Sequence, residues 1–290
     1  MIMKGFDLNL LDGIYGLSCV ENYFLYFLKE QGYSYIPFFF DSYLSFETII
    51  KEFVENKAEY SSFYRMTRLQ KLAAEYGLID ITSKQDKKVR LADDRHFEYA
   101  AIQVKPSFIR EKYERNLWRE DHFILLKKVE QTLFYLNDIP RDTNTITYEE
   151  IDQIYDGKFL KFSIKKAIDK DLEKIFRKGF KMSLKSGELK ETEVLIQKIS
   201  NITLARDIIG ILRISRKRVY LYLNYLGVKE KKLEKYLDYL DMIYNKIEYI
   251  RLRKADSNQK YKEILNQVYE KDKGFFDIVK KIHEYILIDK

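Results

Sequence analysis

One cysteine, one tryptophan, three prolines and three histidines in 290 residues leave several kinds of protein out of consideration. A single thiol, Cys19, closes no disulfide within the chain, so the fold asks for no oxidising compartment, and no zinc site built on Cys spacing is available. The histidines, His96, His122 and His283, are too far apart for an H-x-x-x-H pair, so no metal site is expected. Only 11 glycines are present and none forms a phosphate-cradling loop, so no bound nucleotide or other cofactor is expected. No apolar run approaches the roughly 18–20 residues of a membrane helix. Asp7, Asp12 and Glu21 interrupt the stretch where a signal peptide would be apolar. The expectation is a cytoplasmic chain without a membrane partner.

What the chain does have is apolar mass and an uneven charge. Hydrophobic residues make up 46% and charged residues 33%, enough to build a core without staples. The net charge of +7 hides a split: residues 1–162 carry 22 Lys and Arg against 26 Asp and Glu, residues 163–290 carry 30 against 19. All three prolines, Pro37, Pro106 and Pro140, lie in the first part. The second part shows one helical pattern after another, including 205–226, 232–252, 261–269 and 275–288, with no proline to break them. In the first part, a helix over 19–31 stopped by Gly32 precedes an extended aromatic segment, Tyr35 to Phe40. Helical patterns then cover 46–55 and 66–76, and short strands are expected near 78–81, 99–104, 123–129, 132–136 and 159–162. Thr147 and Glu150 have capping-box spacing ahead of a short helix. These patterns predict an α+β domain over 1–162 and a basic α-helical domain over 163–290.

Two constellations carry possible chemistry. Ser18 and Glu21 match a capping box, which makes Ser18 the N-cap and Cys19 the first helical residue. There the free N–H groups and the helix dipole favour a thiolate, and Tyr23, one turn on, would wall the site. A lone cysteine beside apolar residues is also an ordinary core filler, and position alone leaves both readings open. The second constellation is His122-Phe123-Ile124-Leu125-Leu126 followed by Leu136-Asn137-Asp138-Ile139-Pro140. If the two strands turn about Glu130, His122 faces Asp138 across the pair on the same side of the sheet. A carboxylate-held imidazole is what a cysteine nucleophile requires, but a shift of one residue would place the two side chains on opposite faces. His96, just after Asp93 and Asp94, is an alternative base, whereas His283 reads as a surface or interface residue.

Taken together, Gly16-Leu17-Ser18-Cys19 opening a helix, His122-Phe123-Ile124-Leu125 opening a strand and Asn137-Asp138-Ile139-Pro140 closing the next resemble the papain-like cysteine-protease fold. The likeness is to its bacterial peptidase versions and to the butirosin-biosynthesis-protein-H type. The butirosin type appends an all-α C-terminal domain, and Arg218-Val219-Tyr220-Leu221-Tyr222-Leu223 is similar to a stretch of that domain. The resemblance implies a Cys19–His122–Asp138 triad. It also implies a thiol-dependent acyltransferase of natural-product, thiotemplated biosynthesis, which forms an amide from a carrier-protein thioester and a small-molecule amine. The carrier's phosphopantetheine would then be the substrate arm.

One departure matters. The position where papain-like peptidases place an oxyanion-hole Gln is Gly13, beside Asp12. Asp12, Ser18 and Tyr23 therefore become the candidate site wall, with backbone N–H groups at the helix start as donors. A thioester needs less of this help than an amide, which favours transfer over a cysteine peptidase or amidase using the same residues. Arg213, Arg216, Lys217 and Arg218 are candidates for docking an acidic acyl or peptidyl carrier protein, against the simpler reading of a solvated basic helix. A non-enzymatic basic interaction module is the remaining alternative. No helix-turn-helix or RNA-binding motif supports nucleic acid as its partner.

Overall fold

The computed structural model describes residues 5–11, 18–58, 63, 77, 79–85, 97–113, 122–138, 140–165, 174, 176–180, 192–253 and 258–286. The chain is mixed α+β and forms two compact units, one from residues 1–35 and 69–168, the other from 36–68 and 169–290. The single cut expected after residue 162 differs from this division at 163–168, which belong to the first unit, and in the segment 36–68, which packs with the C-terminal helices. Among the described residues, no helix is long and apolar enough to cross a membrane.

The first unit is built on a six-stranded sheet in the order β1-β6-β2-β3-β4-β5, with every neighbouring pair antiparallel. Its strands are β1 (Ile79–Gln85), β2 (Tyr99–Val104), β3 (His122–Val129), β4 (Thr132–Asp138), β5 (Arg141–Thr145) and β6 (Tyr155–Ile164). Helix α1 (Cys19–Glu30) covers one face, where Phe27 packs on Tyr99 and Phe162 and Phe24 packs on Phe162. It ends as the sequence predicts: Gly32 takes φ +76°, Gly32 N–H donates to Lys29 and Tyr33 N–H to Leu28, the paired bonds of a Schellman cap. The other face carries Ile102, Ile124, Leu126, Tyr135 and Phe159. It is covered by α3 (Pro106–Tyr113) and α4 (Tyr148–Ile154), the latter opened by the expected Thr147–Glu150 capping box. Helix α3 and strand β5 have no counterpart in the expected pattern. β5 is polar along its length and only partly buried, so no apolar alternation marks it.

The second unit is helical. Helix α2 (Phe46–Val54), α5 (Thr192–Gln197), α6 (Ile202–Tyr225), α7 (Lys231–Leu252) and α8 (Asn258–Ile286) surround a core in which α6 is central. The extended segment expected at Tyr35–Phe40 is instead a 3-10 helix over Ile36–Asp41. It buries Phe38, Phe39 and Phe40, and the Phe40 ring stacks on Phe176. Three consecutive buried aromatics fit a short buried helix as well as a strand, and periodicity cannot separate the two. The two C-terminal helices expected at 261–269 and 275–288 are one continuous α8, because Gly274 in mid-helix costs only about 1 kcal/mol and does not break the ladder. The helix expected at 66–76 lies outside the described residues.

Candidate functional site

Cys19 is the first residue of α1 and is half-buried. Ser18 is its N-cap, extended in conformation, with Oγ accepting the Glu21 N–H at 3.1 Å. The local chemistry is as the sequence suggests: a thiol at the positive end of a twelve-residue helix, where an anion is favoured.

The hairpin departs from expectation by one residue. Val129 pairs with Thr132 and Leu125 with Leu136, so the loop is the two residues Glu130 and Gln131 rather than one centred on Glu130. Glu130 takes φ +54°, the left-handed value that a tight hairpin turn places at its first position. In this register Asp138 shares a face with Phe123, and His122 shares the opposite one with Ile124 and Asn137. The expected His122–Asp138 pair is therefore not formed. His122 Nε2 lies 2.6 Å from Asn137 Oδ1 instead.

That contact fixes the imidazole. Asn137 is fully buried, and its Nδ2 donates to the Pro140 carbonyl at 3.0 Å. With the amide nitrogen committed to a carbonyl, Oδ1 faces His122 as an acceptor, so Nε2 must carry the proton and donate. Nδ1 is then the basic nitrogen. An imidazole oriented by an amide serves the same purpose as one held by a carboxylate, and Cys-His-Asn is a recognised form of the nucleophile–base–orienter arrangement.

Asp138 does something else. It is buried, and both its oxygens face α1: Asn22 Nδ2 donates to Oδ2 at 3.0 Å, and the Tyr23 hydroxyl lies 3.2 Å from Oδ1. The same hydroxyl donates to the Phe123 carbonyl at 2.8 Å and accepts the Asp138 N–H at 3.2 Å. Burial, then the Asp138 charge, then that of Cys19 push the Tyr23 phenol well above its ordinary pKa, so it stays a neutral donor. Tyr23 is thus not the wall of an open site; it is a buried tie between the first turns of α1 and the strand ends beside His122. Sequence reasoning overlooked Asn22, whose only signal is its position one turn after Cys19 on the same helix.

The remaining candidates fall elsewhere. Asp12 and His96 lie outside the described residues. Arg216 and Arg218 are both 0% exposed, which rules them out as a docking surface. Arg216 donates through Nε and Nη2 to both oxygens of buried Asp272, at 2.7 and 2.6 Å, and through Nη1 to the Leu44 carbonyl. Arg218 lies over the Phe39 ring. Arg213 and Lys217 both pair with Asp241, which offsets one of their two positive charges. The basic run sits on α6, whose inward face takes Arg216 and Arg218 into the core, and charge counting along a sequence does not see this. His283, expected at the surface or an interface, is buried against Phe180.

A recess of about 330 Å³ in the first unit is lined by Phe27, Gln31, Phe97, Glu98, Lys161 and Phe162 among others. Gln31 follows Cys19 by twelve residues, ~18 Å along a helix at 1.5 Å per residue, so this recess is at the other end of α1 from the thiol. Compared with known proteins, the chain matches no family model and no curated protein.

Proposed function

We propose that this protein is a cytoplasmic, papain-like thiol acyltransferase of thiotemplated natural-product biosynthesis, with Cys19 as nucleophile, His122 as base and Asn137 as the group that orients it. The observation that carries the reading is the His122–Asn137 pair, with Nε2–H committed to Asn137 Oδ1 and Nδ1 left basic. The half-buried thiol at the N-terminus of α1, on a helix tied to the residue after His122, supports it.

In the proposed reaction His122, at the first residue of β3 and on the sheet face opposite α1, takes the Cys19 proton on Nδ1 around the strand end as Sγ attacks the carbonyl of an acyl-phosphopantetheine thioester. The C–S bond to the carrier breaks, and its thiolate leaves with the proton from His122. An amine then attacks acyl-Cys19, His122 accepts the proton lost by nitrogen, and collapse releases the amide while the proton returns to Cys19. Backbone N–H groups at the start of α1 are the oxyanion donors this scheme uses. The partners are an acyl or peptidyl carrier protein and a small-molecule amine.

Incubation with an acyl-loaded carrier protein and a primary amine should yield the amide and free carrier thiol, and Cys19→Ala should stop both. Faster release of a fluorogenic amide than turnover of the thioester would assign a cysteine peptidase or amidase instead.

A further inference from the structure

Asn137 and Asp138 are consecutive, and strand alternation sends their side chains to opposite faces of the sheet. Asn137 holds the imidazole of His122 on one face; Asp138 holds Asn22 and Tyr23 of α1 on the other. We infer that Asp138 is a positioning residue, and that the Asn137-Asp138 end of β4 is a two-sided clamp that sets the base and the nucleophile-bearing helix turn in one frame. This rests on the reading of Cys19 and His122 as nucleophile and base.

Asp138 meets two polar groups in the first turn of α1: Asn22 Nδ2 donates to Oδ2, and Oδ1 lies 3.2 Å from the Tyr23 hydroxyl, whose single proton is directed to the Phe123 carbonyl at 2.8 Å. The Asp138 backbone returns an N–H to the same hydroxyl, so strand and helix are tied in both directions. Tyr23 also holds the carbonyl of Phe123, the residue next to His122, so one phenol meets an end residue of both β3 and β4. Cys19 is one helical turn from Tyr23, so a shift of this tie moves the thiol directly. Misplacement by about 1 Å can cost on the order of 10²-fold in a reaction that depends on alignment.

The test is the pH dependence of Cys19 alkylation by iodoacetamide in the full chain, where one cysteine makes the readout site-specific, together with amide hydrogen exchange of residues 19–23. The wild type should show a reactive limb below the ordinary thiol pKa of about 8.5 that His122→Ala removes. Asp138→Ala should lower that limb by about tenfold or more and speed exchange in the first turn of α1. Tyr23→Phe should lower it as well, and the double variant should lose little beyond either single one. Asp138→Asn, whose amide oxygen can accept from Asn22 while its nitrogen donates to the Tyr23 oxygen, should retain most of the limb, whereas a pure charge effect would be lost. An unchanged limb in Asp138→Ala despite faster exchange, or losses that multiply in the double variant, would overturn the positioning role. Absence of a His122-dependent limb in the wild type contradicts the nucleophile–base reading itself. The tie is then judged by exchange alone: unchanged exchange in Asp138→Ala overturns it separately.

Discussion

Replacing Asn137 separates what its amide does for the fold from what it does for the imidazole. The side chain is fully buried and makes two contacts, accepting from His122 Nε2 at 2.6 Å and donating to the Pro140 carbonyl at 3.0 Å. Asn137→Ala leaves both partners unsatisfied. A buried orphan costs about 1–3 kcal/mol. His122 is buried and should incur that in full, whereas Pro140 is only half-buried and its carbonyl can recruit water, so a total of about 2–4 kcal/mol is expected. The rate of Cys19 acylation should fall on the order of 10²-fold, because the ring is no longer held. Asn137→Asp keeps an acceptor toward His122 but turns a second oxygen toward the Pro140 carbonyl. It should therefore lose stability, by about 1–3 kcal/mol, while retaining most of the acylation rate. Urea unfolding and single-turnover acylation with a small thioester, run on the wild type and both variants, give the two quantities independently. An Ala variant that acylates as fast as the wild type, or an Asp variant as slow as the Ala, would refute the assignment of Asn137 as the orienting acceptor.

Asp272→Ala should destabilise the protein by about 3–5 kcal/mol in urea, because it strands the fully buried Arg216 guanidinium. A loss below about 1 kcal/mol would contradict the buried-pair reading. Burial raises the phenol pKa of Tyr23, Tyr26, Tyr43, Tyr99 and Tyr236. Between the unfolded value of about 10 and the higher folded value, the folded state binds more protons, so stability should be full below pH ~10 and fall as pH rises beyond it. Tyrosinate absorbance should then appear for these residues together with unfolding, and free titration near pH 10 in the folded state would contradict it. Two helical glycines should respond with opposite signs. Gly274→Ala meets open space and should raise the melting temperature, with a gain of about 0.5–1 kcal/mol. Gly179→Ala would drive its methyl into the Phe40 ring and should cost about 1–3 kcal/mol.

Capped and strongly periodic elements were legible before any coordinates. Helix α1, with its Ser18 cap and Gly32 stop, and α4, with its Thr147 box, match the structure closely, as do strands β2 and β3. The partner of His122 was not, because it depends on the parity of one turn. A loop of one residue centred on Glu130 pairs His122 with Asp138, and a two-residue loop puts Asp138 on the other face. Two-residue loops are the commonest hairpin connection, which was the available signal, but Glu130-Gln131 lacks the Asn-Gly or Gly-X chemistry that announces one. The basic run on α6 failed for a different reason. Arginine at a core-facing position is identical in sequence to arginine in solvent, and only the distant Asp272 and the Leu44 carbonyl show that Arg216 is interior. The same long-range contacts tie residues 36–68 to the helical unit: Ser215 Oγ donates to the Ser42 carbonyl at 2.7 Å and accepts the Leu44 N–H at 2.9 Å. A cut placed by charge and composition has no access to bonds more than 170 residues apart in the chain.

The central claim is that Cys19 accepts an acyl group, and the single thiol makes it directly measurable. Intact-protein mass spectrometry after incubation with an acyl-loaded carrier protein, without amine, should show one acyl adduct on the wild type. None should form on Cys19→Ala, and formation on Asn137→Ala should be slowed on the order of 10²-fold. An adduct that persists in Cys19→Ala, or a wild-type protein that stays unmodified while the thioester is consumed, would contradict the account.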